Sequence, residues 1–329
     1  MSSTDSIPPS QEHRSEVTER PAPAQQEPRA LLKDIINLMK PNITSLVLIT
    51  TTGGIMLAPG SIRWSALWAA IFGTLGVVIG ANTLNCYLER DSDKLMGRTK
   101  NRPLPAGRLS ARGTLIAGLS ITCFSTLAIM LWVNLTTTYL ALIAFVSYVW
   151  IYTPMKRLSP QALVVGSLPG ALPPLMGWTA VTGSLDLPGL VLFGILFFWQ
   201  IPHFIAIAFY RQREYERAGL KTFPSQYGHL SALIHGVLWS ALLVITSLAL
   251  VPLGVAGWIY LVVSSVLGVI LLWYSLMGFW APQRNLWARK FFLYTLIYLT
   301  VLFVALAIDA GPLGPETPIL LPQSFHLPS

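Results

Sequence analysis

Residues Asn85 to Leu104, NCYLERDSDKLMGRTKNRPL, hold three carboxylates and five Lys or Arg within twenty positions, in a 329-residue chain of which only 11% is charged. If the apolar run ahead of them continues as a helix past Cys86, then Asn85, Glu89 and Asp93 follow at i, i+4 and i+8 and share one face. Glu89 and Asp93 are then like charges one turn apart, a mildly unfavourable pair unless a cation lies between them. Such oxygen donors suit Mg2+, which keeps several waters and bridges one or two carboxylates to substrate phosphates. Arg98, Lys100 and Arg102 follow Asp93 closely, before Pro103 and Leu104 end the run. Guanidinium and ammonium groups so clustered suit phosphate oxygens. The plain alternative is a solvated loop that caps a helix and neutralises its own charges. Asp91 points off the shared face.

A second charged stretch runs from Trp199 to Gly219, WQIPHFIAIAFYRQREYERAG. Pro202 is expected to break or kink its helix and to leave His203 at membrane depth. An ionisable residue there is a functional candidate; the alternative is a histidine hydrogen-bonded to a neighbouring helix. Glu214 and Glu216 would form a second acidic pole if the two charged stretches are neighbours. Arg211 and Arg213 suit phosphate or act as simple anchors at the helix end. Tyr152-Thr-Pro-Met-Lys156-Arg157 adds two more cations.

The elements that must carry these residues are read from hydropathy. Hydrophobic residues make up 53% and the mean hydropathy is +0.59, values of a membrane chain. A crossing needs about 20 apolar residues. Nine segments qualify: roughly 43–59, 64–88, 114–133, 135–153, 161–182, 187–210, 230–251, 255–280 and 291–309. With the N-terminus cytoplasmic, 21 of the 22 Lys and Arg fall on the inner side and only Arg63 outside, as the positive-inside rule requires. The expected architecture is an all-α membrane protein of nine transmembrane helices, N-terminus cytoplasmic and C-terminus on the opposite side. Residues 31–310 form the membrane domain and 311–329 a short tail. The polar residues 1–30 are expected to be disordered and lack the apolar centre of a signal peptide. A bacterial plasma membrane is the simplest compartment. The net charge of +8 reports the loop asymmetry and implies no nucleic-acid partner. Cys86 and Cys123 read as buried free thiols. The segment from Gln161, with Pro169, Pro173 and Pro174 among glycines, reads as a broken helix beside a cavity. Helices with polar breaks also describe a secondary transporter, which would place its charges nearer the bilayer midplane.

The spacing Asn85-xxx-Glu89-xxx-Asp93 resembles the Asn-xxx-Asp-xxx-Asp motif of the UbiA-type intramembrane prenyltransferases. Asn85-Cys86-Tyr87, Arg90-Asp91, Arg98-Thr99 and Asn101-Arg102-Pro103-Leu104 are similar to the branch of that family that prenylates haem. Tyr152-Thr153-Pro154 with Lys156-Arg157, and Trp199-Gln200 with Pro202-His203-Phe204, match the same branch. The likeness spans roughly residues 35–305. It departs at Glu89 and at Glu214, where the family usually has Asp. The resemblance implies transfer of a farnesyl group from farnesyl diphosphate to a vinyl group of protohaem IX with addition of water, giving haem O. Other acceptors used in the family, an aromatic acid or a chlorophyllide, are the alternative. It implies Mg2+ held by Asn85, Glu89, Asp93 and Glu214. Phosphate contacts are implied for Arg98, Lys100, Arg102, Lys156, Arg157 and Arg211, with Arg102 and Lys156 the leading pair. Protohaem IX enters as a substrate, His203 touching its iron or a propionate, and Trp199, Phe204 and Tyr148 line the cavity. A downstream haem-modifying enzyme is the implied partner.

Overall fold

The computed structural model describes residues 28–309 except 96, 98 and 218. The two expected tails, but for Pro28 to Ala30, lie outside the described residues. Twelve α-helices follow one another, with no strand among the described residues: α1 (Pro28–Met39), α2 (Pro41–Leu57), α3 (Trp64–Asp93), α4 (Ala111–Trp132), α5 (Leu135–Val146), α6 (Thr153–Met155), α7 (Ala162–Thr182), α8 (Leu187–Tyr210), α9 (Gln212–Arg217), α10 (Phe223–Leu248), α11 (Trp258–Met277) and α12 (Arg284–Asp309). A π-helical stretch, Ser147–Tyr152, joins α5 to α6 in one continuous rod.

A helix occupies each of the nine apolar segments, but only seven rods are long and apolar enough to cross a membrane by length and composition. The expectation of nine is corrected at α2 and α7. With 17 residues, α2 is about 26 Å long at 1.5 Å per residue, short of a hydrocarbon core of about 30 Å. Three prolines among glycines dilute the hydropathy of α7. It tolerates them because every residue from Ala171 to Ala180 is buried by other helices and not by lipid. Nor is α7 broken: the helix runs through Pro169, Pro173 and Pro174, as α8 runs through Pro202.

Local chemistry sets several ends. Asn134 caps α5 by accepting from the Thr137 amide at 2.8 Å, which makes the tight hairpin with α4. Ser110 caps α4 through the Gly113 amide, and Thr222 with Ser225 forms a capping box on α10. α10 opens earlier than hydropathy implies, bending at Gly228, whose φ of 81° suits glycine alone. α1 was not expected: it turns Asp34 and Leu38 inward and Leu31, Leu32, Ile35 and Ile36 outward.

The outer faces of the rods expose Trp64, Phe72, Phe124 and Trp273, a surface that suits lipid and not water. Cys86 is buried as expected, whereas Cys123 faces outward. Inside, α3 packs on α4, α2 on α7, and α8 on α7, α10 and α12. Small residues permit the closest of these approaches: a Cβ on Gly177 would run into the Thr51 carbonyl of α2, and one on Gly54 into the Pro174 carbonyl of α7. Gly177→Ala is expected to cost about 1–3 kcal/mol by overpacking, seen as a lower thermal midpoint in detergent. Gly97→Ala, which meets nothing within 4 Å, should leave the midpoint nearly unchanged.

Candidate active site

The last three turns of α3 carry Asn85, Glu89 and Asp93 on one face, and all three line a cavity of about 770 Å³ inside the bundle. Asn85 is 1% and Asp93 4% exposed. Oxygen donors so placed need partners, and each has a cation from a different part of the chain. Lys40 donates to Asn85 Oδ1 at 2.6 Å, Lys156 pairs with Glu89, and Arg102 donates to Asp93 Oδ2 at 2.7 Å.

Local structure aims these cations. Lys40 sits between α1 and α2 just ahead of Pro41, at φ 49° and ψ 69°. It is the one non-glycine with positive φ among the described residues, a conformation costing about 1–2 kcal/mol. Its ammonium also reaches the Tyr148 hydroxyl at 3.3 Å. Asn85 turns its amide to Thr153 Oγ1 at 3.0 Å, so the carboxamide is held from both sides. The π-helical stretch presents Tyr148 and Tyr152, stacked at 5.6 Å, and both line the cavity. Lys156 lies 4.9 Å from the centre of the Tyr152 ring. Burial alone would depress the Lys156 ammonium, but Tyr152 and Glu89 outweigh it, so the pKa is raised and the cation is secured. Arg102 follows the same pattern: burial disfavours its charge, Asp93 more than restores it, and the net shift is upward. Thr99 bonds the Asp93 carbonyl at 3.0 Å and holds the Arg102 loop against the end of α3.

The structure separates the other expected residues. Arg157, His203 and Arg211 line the cavity, as do Trp199, Phe204 and Tyr148. Lys100 is exposed and is not on the cavity wall. Arg98 lies outside the described residues. Glu214 is absent from the wall and is paired with Arg211 at 2.8 Å. No group of three or more His, Cys, Asp or Glu placed to hold a metal occurs among the described residues, so Glu214 does not complete one cluster with Glu89 and Asp93. Asp91 takes the plain reading, an exposed carboxylate beside Arg90 and Lys94. The donors that fit a divalent cation are Asn85, Glu89 and Asp93: hard oxygens on one cavity-facing helix face, held only by cations of the chain.

Two contributors were invisible in the sequence reading. By sequence alone Lys40 is one of the 21 basic residues on the inner side. Asp34, 4% exposed, forms a two-pronged pair with Arg108 at 2.7 and 2.9 Å, and Arg108 also donates to the Asn101 carbonyl at 3.0 Å. α1 is thereby tied to the loop that carries Arg102. The only sequence signal was the alternation of Asp34 and Leu38 with Leu31, Ile35 and Ile36.

Residues 47–297 match the model of the UbiA prenyltransferase family. The chain belongs to that family. It is 49% identical over 280 residues to the protoheme IX farnesyltransferase of Anaeromyxobacter dehalogenans (strain 2CP-C), covering 85% of this chain and 95% of the relative. The enzyme of that name from Myxococcus xanthus (strain DK1622) is 46% identical over 279 residues, 85% of this chain and 95% of the relative. Among solved structures, a digeranylgeranylglyceryl phosphate synthase superposes with TM-score 0.75 at 17% identity, over 84% of this chain and 98% of that one. A UbiA homologue from Archaeoglobus fulgidus bound to GPP and Mg2+ gives TM-score 0.60 at 17% identity, over 83% and 99%. At such identities the likeness is one of fold, an all-helical UbiA-like bundle. Family membership sets aside the transporter alternative.

If Asp34 and Arg108 brace the Arg102 loop, a double-mutant cycle of Asp34→Asn and Arg108→Gln, read by thermal denaturation, should give a coupling of about 0.5–3 kcal/mol. Additive effects would mean that the pair does not brace the loop.

Proposed function

We propose that this chain transfers the farnesyl group of farnesyl diphosphate to a vinyl group of protohaem IX, with addition of water, giving haem O and diphosphate. One observation carries the chemistry: three oxygen donors on one face of α3, each held by a cation, on the wall of an internal cavity. Support for the acceptor is the 49% and 46% identity to relatives named for protoheme IX.

In this reaction the bond between farnesyl C1 and the diphosphate oxygen breaks, and its electron pair leaves with the diphosphate. The terminal carbon of the vinyl group then bonds to C1. The cation left on the adjacent carbon takes the oxygen of a water, whose proton goes to solvent. The first step is hard because negative charge gathers on the leaving oxygen. A divalent cation, such as Mg2+, held by Asn85, Glu89 and Asp93, supplies charge neutralisation when bound. Lys40, Arg102 and Lys156 release their present partners and turn to phosphate oxygens, joined by Arg157 and Arg211 on the same wall. The Tyr148 and Tyr152 faces and the Phe204 and Trp199 rings stabilise the allylic cation and exclude water until the carbon–carbon bond has formed. Glu214, bound to Arg211, steers that guanidinium.

The N-terminus and the loops after α3, α6, α8 and α11 lie on the cytoplasmic side of a bacterial plasma membrane. Lys40 meeting Asn85, and Asn85 meeting Thr153, support a common face for the first three basic segments. The product, a more hydrophobic haem, implies a membrane-bound enzyme that modifies it further.

The test is turnover by the purified chain in detergent with farnesyl diphosphate, protohaem IX and Mg2+, followed by haem extraction and mass analysis. Glu89→Ala and Asp93→Ala should each lower kcat by about 10²-fold or more, and chelation of divalent cations should stop the reaction. Lys40→Met should raise KM for farnesyl diphosphate about tenfold or more, the loss of one charge-assisted hydrogen bond. Diphosphate release with the haem unchanged would refute the acceptor, and full activity under chelation would refute the metal.

A further inference from the structure

Deep in the cavity wall, away from the charged donors of α3, α8 carries a histidine whose protonation state the surrounding hydrogen bonds determine. His203 is 8% exposed and lines the cavity. Its ring stacks on Trp199 at 4.6 Å and lies 4.8 Å from the ring of Phe292 on α12, so its orientation is held from two sides. Nδ1 lies 2.8 Å from Thr295 Oγ1. Thr295 Oγ1 also lies 2.6 Å from the Phe292 carbonyl oxygen.

A carbonyl cannot donate, so the single hydroxyl proton of Thr295 must lie on the line to Phe292. Thr295 Oγ1 can then only accept from His203, and Nδ1 carries the ring proton. The other nitrogen, Nε2, has no hydrogen-bond partner among the described residues, yet it is not among the sealed, unpartnered polar atoms. Among the described residues no acidic side chain is paired with the ring, which packs instead on Trp199 and Phe292. Nε2 is therefore an unprotonated lone pair open to the cavity. That tautomer suits a metal: neutral imidazole is a common protein ligand of haem iron, and its second nitrogen usually donates to a fixed acceptor. A propionate would instead need a second ring proton, and so a charged ring among the apolar faces of Trp199 and Phe292.

We infer that His203 Nε2 is an axial ligand to the iron of the acceptor porphyrin, with Thr295 fixing the tautomer as a positioning residue. This rests on the proposed haem acceptor. The bond sets the macrocycle plane across the Nε2–iron direction, so α8 and α12 fix the height and tilt of the vinyl edge where apolar contact alone would let it slide. The sequence leaves iron and propionate open as partners of His203; the Thr295 hydrogen bond together with the apolar ring contacts favours iron.

The test is equilibrium binding of ferric protohaem IX and of metal-free protoporphyrin IX to the purified full chain in detergent, with absorption and electron paramagnetic resonance spectra of the haem complex. The unmodified chain should bind haem at least tenfold more tightly than the metal-free ring and show imidazole ligation. His203→Ala should abolish that preference and the signature while leaving metal-free binding unchanged, and added imidazole should restore both. Thr295→Val should lower the preference about tenfold, the usual effect of losing such a supporting hydrogen bond. Equal binding of the two rings by the unmodified chain, or an unchanged haem spectrum in His203→Ala, would overturn the ligation while leaving haem prenylation standing. Failure to bind either ring, with farnesyl diphosphate still cleaved, would overturn the acceptor reading and the ligation together.

Discussion

Charged and amide oxygens at the end of a membrane helix are tolerable only when each has a partner, and this constraint organises the whole bundle. Asn85, Glu89 and Asp93 sit on a single helix face, where the two carboxylates would repel one another and all three forfeit hydration. The chain meets this with Lys40 from the α1–α2 joint, Lys156 from the end of α6, and Arg102 from the loop after α3. Three separate segments are thus drawn to one helix end. The same pairing would leave the donors exchangeable, because a divalent cation and a polyanion together could replace every partner on both sides.

The rest of the architecture serves that convergence. Lys40 reaches Asn85 only because its backbone takes a left-handed turn that Pro41 follows directly. The π-helical stretch turns Tyr148 and Tyr152 to the same wall, one near Lys40 and the other beneath Lys156. The Asp34–Arg108 pair holds the Arg102 loop to α1, whose outward apolar face suits the membrane interface. The glycines of α2 and α7 bring the backbones close beside the cavity, so the wall is built of rigid helix.

The shared face of Asn85, Glu89 and Asp93 was legible because its signal is local: i, i+4, i+8 spacing at the end of an apolar run needs no tertiary information. Helix positions were legible for the same reason, as was the hairpin at Asn134. Span count was less so, since hydropathy does not distinguish a helix facing lipid from one, like α7, buried by its neighbours. The prolines were expected to break α7 and to break or kink α8, and both helices continue through them. Cys123 was expected inside and faces outward, because an apolar helix gives little contrast between its two sides. Lys40 and Asp34 were missed because their roles depend on residues 45 and 74 positions away. The pairing of Glu214 with Arg211, off the cavity wall, was not read from the sequence.

The most direct test of exchangeable pairing is the affinity for Mg2+ alone and for farnesyl diphosphate with Mg2+, measured by calorimetry on the unmodified chain and on Lys156→Met. Freed of its ammonium, Glu89 should bind Mg2+ more tightly in the absence of diphosphate, while the affinity for farnesyl diphosphate should fall. If both affinities fell together, or neither changed, Lys156 would not be the cation that passes from Glu89 to the substrate, and the account would be wrong at its centre.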